Sequence, residues 1–159
     1  MKKILIALDY DPSAETIAEV GYSLAKAIDA EVILMHVISD PVIYSSNGGH
    51  VTIVGFAGCM DAATATMQED CKEEYKKAAQ QFLDKSKKHL GDETIQTIVK
   101  DGECAESILK TAAEIKADII ILGSHGRKWL EQKVMGSVTE SVLHHTTIPL
   151  FIIPSVKNH

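Results

Sequence analysis

The chain has 159 residues, enough for one domain with a sizeable core. Its 45% hydrophobic and 24% charged content is that of an ordinary soluble globule, and its net charge of −6 argues against nucleic acid as a partner, because phosphate-backbone binding needs a basic face. Cys59, Cys71 and Cys104 are odd in number and show no C-x-x-C spacing, so they read as free thiols in a reducing compartment.

The opening MKKILIALDY carries an apolar run, Ile4 to Leu8, which Asp9 ends; that is too short for the core of a signal peptide. No apolar stretch approaches the length of a membrane span, so a cytoplasmic protein with no membrane contact is expected. Ile4 to Leu8 reads as a buried strand with Asp9 at its C-terminal end. Asp11-Pro12 has the form of an N-cap followed by proline at the first helical position. Ile17, Val20, Leu24 and Ile28 then recur at helical spacing and predict a helix over 13–29. Ser13 is a candidate cap for that helix or a candidate phosphate contact. Glu31 to Ile38 is a second strand.

Residues 39–60 hold a loop signal, Ser45-Ser46-Asn47-Gly48-Gly49, and Val51 to Phe56 forms either a short strand or a packed flap. Asp61 can cap a long helix running to about Leu90, with Met67, Cys71, Tyr75, Ala78 and Phe82 inward and a solvated charged outer face. Thr94 to Val99 alternates in hydrophobicity, which suits an edge strand. A helix follows Gly102-Glu103 with Ala105, Ile108, Leu109, Ala112 and Ile115 on one face.

Asp118 to Leu122 is the next strand, an unbroken β-branched run of the kind buried on both faces. Gly123 follows at once, then Gly126, then nine residues, then Gly136-Ser137. Glycine after a strand lets the backbone approach a ligand with no Cβ in the way. Ser137 with Glu140 has the form of a capping box, so a helix is expected to start there. Strand, glycines and helix N-terminus together make a place for a phosphate. The spacing is neither a Walker A loop nor the compact G-x-G-x-x-G of dinucleotide folds. Val138, Val142 and Leu143 mark the last helix, with His144 and His145 in its final turn, and Ile148 to Pro154 is the closing strand.

Five strands alternating with four helices predict a single α/β domain over 1–159: a doubly wound, open, five-stranded parallel sheet with helices on both faces. In such sheets ligands bind past the C-terminal ends of the strands where strand order reverses. If the first and fourth strands are neighbours, Asp9 and Gly123 face each other across that crevice.

The spaced Gly-x2-Gly-x9-Gly-Ser triplet resembles the nucleotide-binding signature of the universal stress protein family. ILIALD, the HV pair of LMHVI, GSHG and MGSVTE also look like that family, so the resemblance runs from Ile4 to Ile153. It implies a Rossmann-like fold of the adenine nucleotide alpha hydrolase type that binds ATP, or AMP or ADP, with Mg2+ or Mn2+ carried by the phosphates. By matching position, Asp9 would contact adenosine and Val37 would offer backbone groups to adenine, while Gly123, Gly126, Gly136 and Ser137 would hold the phosphates. Arg127, with Lys128, is a candidate for neutralising the terminal phosphate, against a solvated role. His125 is either an acid or base or only a hydrogen-bond donor. The family also pairs through its last strand, here Leu150–Ile153, which would otherwise be an exposed apolar edge. The function expected is a cytoplasmic, dimeric, ATP-dependent regulatory module with an unidentified protein partner and at most slow hydrolysis. The alternative is an ATPase or nucleotidyl-transferring enzyme on the same fold.

Overall fold

The structure is a computed structural model that describes residues 1–10, 12–38, 42–45, 51–54, 65–124 and 135–154, by backbone alone for 42–45, 51–54 and 65–71. In chain order the elements are β1 (Lys2–Ala7), α1 (Ala14–Ala27), β2 (Ala30–Ile38), β3 (Val42–Ser45) and β4 (Val51–Val54). Then come α2 (Ala65–Leu90), β5 (Gln96–Asp101), α3 (Cys104–Glu114), β6 (Ile119–Gly123), α4 (Ser137–His145) and β7 (Leu150–Ile153). Five strands form one parallel sheet in the order β5-β2-β1-β6-β7.

The three inner strands are continuous hydrophobic runs because both of their faces are covered. On one face Ile4, Ile6, Leu34 and Ile121 pack against Ile17 and Ala18 of α1 and Leu83 of α2. On the other, Leu5, Ile33, Met35, Ile120 and Leu122 pack against Ala105, Ile108 and Ala112 of α3 and Val142 of α4. The sheet is therefore doubly wound, as the alternation of patterns predicts. α1 lies close because Gly21 leaves room: a Cβ there would sit 2.7 Å from Ile6 Cδ1.

β5 is an edge strand, in accord with its alternating sequence, and β7 is the other edge. Three local expectations are corrected. The first helix does not begin with Pro12 at its first position; it starts at Ala14, with Ser13 in the capping place. The backbone of Ser13 is already helical, so its side chain does not cap, since a cap needs an extended backbone to reach the following N–H groups. Asp11 lies outside the described residues, as does Asp61.

The second correction concerns 42–45, where no strand was expected; Val42–Ser45 pairs antiparallel with Val51–Val54 as a separate two-stranded sheet. The third adds the fully buried Ala79 and Leu83 to the inner face of α2, where Phe82 packs on the core as expected, while the side chains of Met67 and Cys71 lie outside the described residues. Tyr75, Ala78 and Phe82 flank Ala79 and Leu83, half-buried.

Candidate functional site

β1 and β6 are neighbours, and their pairing stops at Ile6 with Ile121. From β1 the sheet extends to β2 and β5; from β6 it extends to β7. The two strands thus lead away from each other, and a crevice opens past their C-terminal ends at the topological switch point. Continuing the register sets Leu8 level with Gly123 and Asp9 level with Ser124. Asp9 stands exposed at this mouth, its Oδ1 accepting the Tyr10 N–H at 2.8 Å.

The far wall is fixed by three hydrogen bonds. Ser124 N–H donates to the Ile153 carbonyl at 2.8 Å, and the Ser124 carbonyl accepts Gly136 N–H at 2.6 Å. The hydroxyl of Thr139, only 4% exposed, donates to the Gly123 carbonyl at 2.7 Å. These bonds explain the spacing of the glycines: the chain leaves the strand at Gly123-Ser124 and returns to the same point at Gly136. Gly126 and Arg127, with His125 and Lys128, lie outside the described residues.

The expected capping box at Ser137 does not form. Gly136 is the N-cap, with extended backbone (φ −66°, ψ 154°), and Ser137 is the first helical residue. Glu140 is then one position too far along to reach back, and its own N–H bonds the Gly136 carbonyl at 2.9 Å. With glycine in the cap position, no side-chain cap among the described residues bonds the first amides of α4, those of Ser137, Val138 and Thr139. They carry the positive end of the helix dipole.

The neighbouring helix on the same face is built the opposite way. Glu103 is the N-cap of α3, its Oε1 accepting from Ala105 N–H at 3.2 Å and its Oε2 from Glu106 N–H at 2.6 Å. A carboxylate already occupies the place an anion would take. Burial pushes the Cys104 thiol up to about 12, and the charges of Asp9 and Glu103 add to the shift. Cys104 is therefore a protonated packing group, poorly suited to nucleophilic work.

Val37 lines the crevice with its backbone. Leu8 N–H bonds the Met35 carbonyl at 2.8 Å, and Gly102 N–H bonds the Ile38 carbonyl at 3.0 Å. Backbone groups alternate sides along a strand, so Val37 turns its N–H and C=O to the Met35 side, beyond the end of β1. The next ladder bond in that register would use the Leu8 carbonyl, but His36 Nδ1 takes it at 2.7 Å. A carbonyl only accepts, so Nδ1 carries the hydrogen. Tyr10 lies 4.4 Å from the His36 ring and 4.8 Å from Phe82, bracing the segment after β1.

The structure thus sets Asp9, Val37 and Gly123 at the C-terminal ends of strands β1, β2 and β6, and ties Gly136, at the start of α4 beside Ser137, to Ser124 at the end of β6. Thr139, His36 and Tyr10 were given no role of their own from sequence, although His36 and Thr139 fall within stretches that carry the resemblance. For Thr139 the signal was a hydroxyl in the first turn of a helix directly after Gly-Ser; for the others, no local pattern distinguishes them from core.

The chain matches the universal stress protein family model over residues 1–154. It is 32% identical over 155 residues to the universal stress protein MJ0577 of Methanocaldococcus jannaschii, covering 96% of this chain and 94% of that one. It is 27% identical over 153 residues to the universal stress protein YxiE of Bacillus subtilis, covering 95% and 97%. The solved structure of MJ0577 superposes with a TM-score of 0.77 at 27% identity, covering 99% and 98% of the two chains. A universal stress protein solved in complex with cAMP shares the fold, with a TM-score of 0.64 at 15% identity over 96% of each chain. The sheet order, the glycine spacing and these matches across nearly the whole length lead to one conclusion: the chain belongs to the universal stress protein family.

Proposed function

We propose that this protein is a cytoplasmic ATP-binding regulatory module, acting as a dimer, whose nucleotide state alters its contacts with a protein partner. The observation that carries the reading is the glycine-capped N-terminus of α4, held against the end of β6, the strand next to the one that leads to Asp9. Amides at a helix start are donors matched to phosphate, and glycine at the cap lets that anion approach. Asp9 takes the ribose hydroxyls, because a carboxylate accepts from several donors at once. The Val37 N–H and C=O supply the paired donor and acceptor that an adenine edge needs. Gly126 and Arg127 complete the phosphate site, and a divalent cation arrives on the phosphates. That a family member has been solved with cAMP supports an adenine nucleotide as the ligand.

The dimer reading rests on β7. It is a sheet edge, and Phe151 on it is 42% exposed. Antiparallel pairing with a second copy removes that edge and closes a two-fold assembly. Sedimentation at micromolar concentration tests it, and a monomer would overturn it.

Nucleotide binding is tested by thermal unfolding with and without millimolar Mg-ATP. Saturation at a hundred times Kd stabilises by about 2.7 kcal/mol, which moves the midpoint by several degrees. No shift with ATP, ADP or AMP would overturn the reading.

A further inference from the structure

A second cluster lies outside the crevice, between α1 and the end of α2. Glu15 and Glu19 stand one helical turn apart on α1, on the stripe that continues to Tyr22 and Lys26. Farther along, that stripe engages Asp92, which receives Tyr22 Oη at 2.9 Å and Lys26 Nζ at 3.3 Å, so a cation balances the carboxylate. The Glu pair has a different partner. His89 Nε2 lies 2.7 Å from Glu19 Oε1 and 3.0 Å from Glu15 Oε1. Among the described ion pairs neither glutamate meets a lysine or arginine, so His89 is the one group that faces both.

We propose that Glu15, Glu19 and His89 form a surface site for a first-row transition-metal dication bridging α1 and α2. Three ligand atoms from two helices already lie within 4.8 Å of one another. Two of the separations, 2.7 and 3.0 Å, match the spacing of adjacent ligands around an ion. At a metal–ligand distance of about 2.1 Å, cis ligands sit about 3 Å apart. Small rotations of the exposed carboxylates would admit the ion with no backbone movement. One imidazole and two carboxylates suit cobalt, nickel or zinc, whereas magnesium prefers an all-oxygen shell.

Charge at the helix ends favours the same occupant. His89 lies in the last turn of α2, where the carbonyls form the negative pole of the helix. Glu15 lies in the first turn of α1, at the positive pole of that helix. The three groups remain half-exposed, so an ion reaches them from solvent and keeps water in its remaining positions. The bridge would lock α1 against α2 and needs no nucleotide.

The test is a Co2+ titration of untagged, chelator-stripped, nucleotide-free protein, followed by visible absorbance and thermal unfolding. The expected result is saturable binding of one ion per chain, weak d–d bands with no thiolate charge-transfer band, and a raised unfolding midpoint. His89→Ala and Glu19→Gln each weaken binding by about tenfold or more, while His144→Ala on α4 leaves it unchanged. Both glutamate and histidine variants keep the wild-type circular dichroism and midpoint in excess chelator within a degree or two, because the side chains are exposed. No saturable binding, a thiolate band, or wild-type affinity in His89→Ala would each overturn the proposal. None of these outcomes depends on whether ATP binds in the crevice.

Discussion

α3 and α4 pack side by side on one face of the sheet, and both begin at the C-terminal edge of its strands, yet their first turns are finished differently. α3 closes its own N-terminus with the Glu103 carboxylate, which takes two backbone N–H groups. α4 has glycine in the same position, and among the described residues no side-chain cap bonds its first amides. The sheet therefore offers an anion one helix end and withholds the other. A parallel sheet alone does not create a phosphate site; the residue at the cap decides which helix dipole a ligand can use.

The sharpest way to break the contrast is to finish α4 as α3 is finished. Gly136→Asp is sterically permitted, since the backbone there is extended with negative φ. It should lower ATP affinity by about 100-fold, the loss of one or two charge-assisted bonds at about 1.5–3 kcal/mol each. In nucleotide-free protein the same change should raise the unfolding midpoint, because an aspartate cap is worth about 1 kcal/mol. Opposite signs for binding and stability, read by calorimetry and thermal unfolding, mark the phosphate reading.

Next in size is Thr139→Val. It keeps the shape but strips the Gly123 carbonyl of its donor, so urea unfolding should show a loss of about 1–3 kcal/mol. ATP should bind more weakly as well, because the start of α4 is no longer fixed to the end of β6. Wild-type ATP affinity in this variant would mean that the tie is only structural.

Glu103→Ala tests the other side of the contrast. Losing that cap should cost about 1 kcal/mol of stability while leaving ATP affinity unchanged. A collapse of affinity would instead make α3 part of the site.

The last effect, confined to strongly alkaline solution, is a pH dependence. The folded Cys104 thiol holds its proton well above its ordinary value of 9.0, up to about 12. The folded state thus binds that proton more tightly than the unfolded chain does. Its contribution is fully present below the ordinary value and is lost as pH rises towards about 12. Stability should fall through that alkaline window, and the slope should flatten in Cys104→Ala.

The contrast also explains what could be read from the chain and what could not. Ile119 to Leu122 and Val32 to Val37, broken only by His36, announce buried strands by their hydrophobicity, and the edge position of β5 follows from its alternation. The adjacency of β1 and β6 was only a condition in the sequence, since pairing across more than a hundred residues leaves no local trace. Asp9 and Gly123 were read as strand-end residues, and the structure sets them at the same end of two neighbouring strands.

The cap of α4 was misplaced by one residue because Ser-x-x-Glu is a good capping sequence. The deciding factor was a buried hydroxyl two positions later, bonded to a distant strand. His36 and Glu103 escaped for a similar reason: their partners, the Leu8 carbonyl and the amides of α3, are defined by the fold or by a side-chain rotamer and not by periodicity. Gly126 and Arg127 lie outside the described residues, so their part in the phosphate site stands as proposed.

The most direct measurement is an ATP titration followed by two-dimensional amide NMR. The account predicts that the amide signals of Gly123, Ser124, Ser137, Val138 and Thr139 move as ATP is added, along with that of Val37, while those of Ala105 and Glu106 at the start of α3 stay in place. Shifts confined to α3, or none at the start of α4, would contradict it.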